Sequence, residues 1–196
     1  VSNLATGNAM HAISERGNDL YQSPPEAVRA LLKAENVPHR VWEPACGPGS
    51  IVRVLRESGR DVLATDLVDY GTLEQDHFGV DFLIPGIAES RFDGSRAIVT
   101  NPPFKNVHEF VERALSFSGY VAMLLRLAFL ESEKRRSILD NGRLSRVHVF
   151  RNRLPMMHRE GWEKTTNSSA IAFAWFVWDR THTGPTELHR ISWEAA

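Results

Sequence analysis

The tetrad Asn101-Pro102-Pro103-Phe104 is where the chemistry of this chain is most legible. An amino group conjugated to a ring is a poor nucleophile, because its lone pair is delocalised. The side-chain oxygen of Asn101 and the carbonyl of Pro102 can each accept one amino hydrogen. That would turn the lone pair toward an electrophilic methyl group such as that of a sulfonium. Pro102 and Pro103 stiffen the backbone and hold the acceptors in place. Phe104 offers a face for an acceptor ring to stack on. An activated methyl group needs no covalent intermediate and no strong base, so positioning would supply most of the acceleration. In isolation the same four residues also describe a rigid turn after a strand.

A second motif is Glu43-Pro44-Ala45-Cys46-Gly47-Pro48-Gly49. Gly47 and Gly49 allow a tight turn and close approach of backbone to a ligand. The spacing lacks the third glycine of a dinucleotide fingerprint, and an ordinary strand-to-helix turn has the same composition. Asp66, 17 residues beyond Gly49, changes the balance. A carboxylate at the end of the next strand can accept hydrogen bonds from both ribose hydroxyls of a nucleoside-like cofactor.

These motifs need a frame. Ser23-Pro24-Pro25-Glu26 predicts a helix start with a hydroxyl cap, followed by Ala27, Val28, Leu31 and Leu32 at helical spacing. Strands are predicted at 39–42, 61–65, 79–83, 96–100, 119–125, 144–150 and 170–178. Helices are predicted around Ile51–Leu55 and Phe110–Phe117, and over 128–139. Alternating strands and helices give an α/β protein: a seven-stranded, mostly parallel sheet with helices on both faces. Ligands bind at the carboxyl ends of such strands, where all three motifs fall.

In this order the motifs resemble the class I S-adenosylmethionine-dependent methyltransferases, a Rossmann-like fold. Within that group they resemble the amino-methyltransferases carrying D/N-P-P-Y/F/W. The likeness runs over about residues 20 to 180. It extends to small phage- and prophage-type adenine-N6 DNA methyltransferases through Trp42 to Gly47, the Asp81-Phe82 pair and the Trp175 to Trp178 strand. The resemblance implies S-adenosyl-L-methionine as cofactor and an antiparallel last strand. It implies that Tyr21 and Ser23 close over the methionine end, and that Glu43, Pro44, Ala45, Cys46, Gly47 and Gly49 form the glycine-rich motif. Asp66 with Leu67 would take the ribose, Asp81 and Phe82 the cofactor adenine. Asn101, Pro102, Pro103 and Phe104 would be catalytic, with Asn101 also touching the cofactor. The implied acceptor is the exocyclic amino group of adenine in DNA, with RNA adenine or a protein glutamine amide as alternatives. A silent cofactor-binding subunit is the reading from outside enzymology. Two departures stand out: the chain has no room for a sizeable target-recognition region, and phenylalanine replaces the commoner tyrosine in the tetrad.

Composition narrows the rest. The chain has 196 residues, 42% of them hydrophobic, and a formal net charge of −1. That predicts one methyltransferase domain over 21–180, an N-terminal arm over 1–20 and a C-terminal tail over 181–196. Residues 126–164 hold ten Lys and Arg against five Asp and Glu, a surface suited to nucleic acid or to solvent. The stretch 152–169 reads as a substrate loop. Arg151, Arg153, Arg159 and Lys164, interleaved with Met156, Met157 and Trp162, suit phosphate contact with base stacking. No apolar run reaches the length of a membrane span, so no membrane partner and a cytoplasmic location are expected. Cys46, the single cysteine, reads as a small packing residue. The eight histidines show no metal-ligand spacing, and no metal is expected.

Overall fold

A computed structural model of the chain describes residues 22–85, 96–141, 143–156 and 171–194. Seven strands form one sheet: β1 (Arg40–Glu43), β2 (Asp61–Ala64), β3 (Ala97–Thr100), β4 (Tyr120–Arg126), β5 (Leu144–Phe150), β6 (Phe173–Asp179) and β7 (Glu187–Ile191). Their order across the sheet is β2-β1-β3-β4-β6-β5-β7. The pairs from β2 through β4 are parallel. Strand β6 is antiparallel to both its neighbours, β4 and β5, and β7 lies parallel to β5. The carboxyl ends of β1 through β5 therefore meet the start of β6 along one edge of the sheet.

Side chains alternate across the strands, as a two-sided sheet requires. Val41, Val99, Ala122, Leu124, Trp175 and Val177 face one core. That core is closed by helices α1 (Pro25–Ala34) and α2 (Ser50–Glu57). Trp42, Ile98, Val121, Met123, Phe176 and Trp178 face the other. Helix α3 (Val107–Phe117) and the short α4 (Arg136–Leu139) cover that side. The fully buried tryptophans keep their indole N–H groups satisfied. Trp175 donates to the Ala27 carbonyl at 2.8 Å, and Trp178 to the Ile138 carbonyl at 2.8 Å. Each tryptophan ties the sheet to a helix, one on each face.

Four expectations need correction. Residues 79–83 form no strand. Gly79 takes φ 69°, and the Asp81 carboxylate accepts the Leu83 N–H at 2.9 Å, a local turn that competes with ladder pairing. The segment after β2 instead blunts the sheet edge, with the N–H groups of Asp76 and His77 donating to the Ala64 carbonyl. The sheet still has seven strands because β7 arises inside the stretch read as a tail. Glu187 to Arg190 are exposed and mostly polar, so no apolar alternation announces an edge strand. The helix predicted over 128–139 is broken into 3-10 turns at Leu127–Leu130 and Glu133–Arg135 before α4. Ser132, with φ 101°, interrupts it. Ser23 does not cap α1, whose N-cap is Pro24 with no side-chain hydrogen bond. Among the described residues no helix is long and apolar enough to cross a membrane.

Candidate active site

Strands β1, β2 and β3 end on a cavity of about 290 Å³. The loop after β1 forms its floor. Gly47 and Gly49 sit at φ 52° and 90°. The Cys46 N–H donates to the Thr65 carbonyl at 3.0 Å, and the Gly49 N–H to the Cys46 carbonyl at 2.9 Å. Asp66 braces the loop from β2: its Oδ2 accepts the Gly47 N–H at 2.9 Å and its Oδ1 the Val68 N–H at 3.0 Å. Each oxygen keeps acceptor capacity for a ligand hydroxyl. Burial raises the Asp66 pKa against the pull of the backbone N–H groups that it accepts.

Gly49 is the position where a side chain has no room. A Cβ there would stand 2.2 Å from Glu74 Cβ and 2.6 Å from its Cγ, at a φ that favours glycine. Gly49→Ala is therefore expected to cost about 2 kcal/mol or more and to weaken ligand binding at the loop. Thermal melting and calorimetry check this, and an unchanged melting temperature with unchanged affinity would contradict it.

Glu43 lies beneath the loop, fully buried, with Oε1 accepting the Ala45 N–H at 3.1 Å. Burial pushes its carboxyl up to about 8, because loss of hydration outweighs the Ala45 N–H that favours the anion. Burial also pushes the Cys46 thiol well up, which makes it a poor nucleophile.

Of the residues predicted to bind cofactor, Ser23, Pro44, Ala45, Cys46, Gly47, Asp66, Leu67, Asp81, Phe82 and Asn101 all line this cavity. Glu43 and Gly49 do not; they hold the loop from behind. Tyr21 lies outside the described residues. Pro102, Pro103 and Phe104 line the same cavity. Phe82 gives an apolar wall, packed against Trp42 at 5.3 Å and Phe110 at 4.9 Å between ring centroids.

Of the predicted substrate residues, Phe104 is in the cavity wall. Arg151 and Arg153 line a neighbouring cleft, while Arg159 and Lys164 lie outside the described residues. Two further residues escaped the sequence reading. Tyr70, its hydroxyl pushed up to about 12 by burial and by nearby Asp66, lines the cavity from the loop after β2. Arg126, the last residue of β4, lays its guanidinium over the Phe104 ring at 4.3 Å from the centroid. Its signal in the sequence was a charge at the end of an apolar strand, at the sheet edge where ligands bind. Among the described residues no cluster of three or more His, Cys, Asp or Glu side chains could hold a metal ion.

No protein-family profile and no curated protein matches the chain. Solved structures do. The modification subunit of a proposed type I restriction enzyme from Vibrio vulnificus YJ016 superposes with a TM-score of 0.63 at 14% identity. The match covers 93% of this chain and 50% of that one. A proposed RNA methyltransferase from Pyrococcus horikoshii gives 0.58 at 14% identity, over 90% of this chain and 98% of that one. A proposed class I S-adenosylmethionine-dependent methyltransferase from Listeria monocytogenes gives 0.53 at 13% identity, over 95% and 65%. The chain thus spans half the length of the Vibrio subunit and about two thirds of the Listeria protein. These likenesses show the fold: the chain has the Rossmann-like class I methyltransferase fold.

Proposed function

We propose that the chain is an S-adenosylmethionine-dependent methyltransferase that modifies the exocyclic amino group of adenine in nucleic acid, with DNA the leading acceptor. One observation carries this reading. The Asn101-Pro102-Pro103-Phe104 tetrad faces the same cavity as the glycine loop and Asp66, so an amino group and a nucleoside-like cofactor would meet there.

The cavity fits that cofactor on its own terms. The Ser23 hydroxyl is buried against it without a hydrogen-bond partner among the described residues, a cost that a polar ligand would remove. Asp66 retains acceptor capacity for ribose hydroxyls, and Phe82 supplies an apolar wall. Asp66, Leu67, Asp81 and Phe82 would hold the nucleoside end, and Ser23 with the 44–47 loop the methionine end. When bound, the cofactor supplies an activated sulfonium methyl group. The chain does the positioning. Asn101 and the Pro102 carbonyl accept the amino hydrogens, the two prolines keep those acceptors rigid, and Phe104 stacks on the base. Arg126 lies over the same Phe104 ring.

Asp66→Ala removes both the brace on Gly47 and the expected ribose acceptor. It is expected to raise the cofactor dissociation constant about 10- to 100-fold. Calorimetric titration with S-adenosylmethionine measures this, and unaltered affinity would contradict the assignment.

Adenine in RNA is the second reading, favoured by the Pyrococcus horikoshii neighbour, which this fold matches over nearly its whole length. Label transfer from S-adenosylmethionine to unmethylated DNA, to RNA and to protein distinguishes the acceptors. DNA is expected to take the label. Label confined to RNA would shift the assignment to the second reading, and label confined to protein would overturn both.

A further inference from the structure

The sheet edge that carries Asn101 continues past the cavity. Arg126 ends β4, Phe173 begins β6, and Phe150 ends β5, in that order across the sheet. The rings of Phe104 and Phe173 lie 6.0 Å apart between centroids, so the acceptor-stacking wall joins the next segment directly. Beyond Phe173 opens a second cleft, of about 270 Å³, lined by Phe150, Arg151, Asn152, Arg153, Ala172 and Phe173.

Among the described residues, the charge in that cleft has no ion-pair partner. Arg29, Arg40, Arg53, Arg56, Arg96, Arg136 and Arg146 each pair with a carboxylate. Arg151 and Arg153 are exposed, and neither forms an ion pair among the described residues. The backbone that carries them is nonetheless pinned. The Arg151 N–H donates to the Ile191 carbonyl at 2.9 Å, and the Trp193 indole N–H to the Asn152 carbonyl at 3.2 Å. Phe150 on one side and Leu154 and Met156 on the other are buried. Two exposed guanidinium groups on an anchored turn beside a cleft, with no ion-pair partner among the described residues, suit recognition of an anion with several acceptor oxygens.

We infer that this cleft is a phosphate subsite for the acceptor strand, with Arg151 and Arg153 holding a phosphate two or three positions from the base on Phe104. The inference rests on the nucleic-acid reading above. The span fits: from β3 to β5 are three inter-strand steps, roughly 14 Å at about 4.8 Å each. Arg126, over the Phe104 ring at the end of β4, stands between the cavity and the cleft along the sheet edge. Phosphate contacts of this kind fix register without reading sequence.

The test is the salt dependence of binding. A fluorescent single-stranded oligodeoxynucleotide containing adenine is titrated with the whole chain in the presence of S-adenosylmethionine, at several salt concentrations. Arg151→Gln with Arg153→Gln is expected to lower the slope of log affinity against log salt by about 0.7, the value for the one phosphate that the pair neutralises. The melting temperature and cofactor affinity should stay unchanged. Arg180→Gln, an exposed charge at the opposite end of β6, should leave the slope unaltered. A slope unchanged in the double variant, or lowered as much per charge by Arg180→Gln, would overturn the subsite while leaving the nucleic-acid reading intact. A wild-type chain that neither binds nor labels any oligonucleotide would overturn both.

Discussion

Asn101→Ala is expected to lower the methyl-transfer rate about a thousandfold or more while changing cofactor affinity by less than about threefold. The asymmetry follows from what the side chain does. In the proposed mechanism its oxygen accepts an amino hydrogen from the acceptor, an interaction that matters most as the nitrogen lone pair rehybridises in the transition state. The proposed cofactor contacts are mainly the glycine loop, Asp66 and Phe82, which keep their own supports. The Gly47 and Val68 N–H groups on Asp66 and the Trp42 and Phe110 rings on Phe82 do not involve Asn101. Asn101→Asp keeps an acceptor oxygen and should retain more activity than Asn101→Ala. Initial rates under saturating cofactor, with calorimetry on the same variants, measure the two effects separately. Full activity in Asn101→Ala would remove the mechanism.

Glu35→Ala should destabilise the fold by about 3 kcal/mol or more without touching the site. Glu35 follows α1 and is almost wholly buried. Its carboxylate accepts from Arg146 Nε and Nη2, from the Tyr120 hydroxyl at 3.1 Å, and from His148 Nε2 at 2.6 Å. A carboxylate can only accept, so His148 carries its proton on Nε2. Burial alone would raise the Glu35 pKa. The hydrogen bonds from His148 and Arg146 outweigh it and hold the carboxyl down at about 2. Removing the carboxylate leaves Arg146 and His148 without their buried partner, which costs more than the pair contributes relative to an apolar core. The pH dependence has a definite sign. The folded pKa lies below the unfolded value near 4.5, so the stabilisation is present above about pH 4.5. It is lost as pH falls toward 2. Denaturant melts of wild type and variant should therefore converge in acid and differ most near neutrality. A constant difference at every pH would contradict this linkage.

The parts of the fold that showed in the sequence were those where burial imposes a period. Strands β1, β4 and β5 and helices α2 and α3 carry apolar residues at the spacing that their faces require, and the Trp175 to Trp178 strand reads as core because both faces are buried. Strand β7 was invisible for the converse reason: it is an exposed edge strand paired on one side only, and its pairing is backbone work that leaves no apolar pattern. The strand expected over 79–83 is a turn whose Val80 and Phe82 are buried, so burial there comes without a ladder. The site motifs were legible as local spacing. Their convergence on one cavity was an inference from topology, since ligand sites gather at strand carboxyl ends. What local spacing could not reveal was reach across the sheet. Arg126 and Phe104 are neighbours because β3 and β4 pair in parallel, and nothing within either segment announces the other. Ser23 looked like a helix cap because its type and position fit one, yet its hydroxyl is kept for the cavity.

The most direct test of the account is the identity of the product. Unmethylated DNA is incubated with the chain and methyl-labelled S-adenosylmethionine, then digested to nucleosides and separated. The account predicts label in N6-methyladenosine as its deoxynucleoside, abolished by Asn101→Ala. Label on a ring carbon of cytosine would contradict it, because that chemistry needs a cysteine nucleophile that the Asn101 to Phe104 loop lacks.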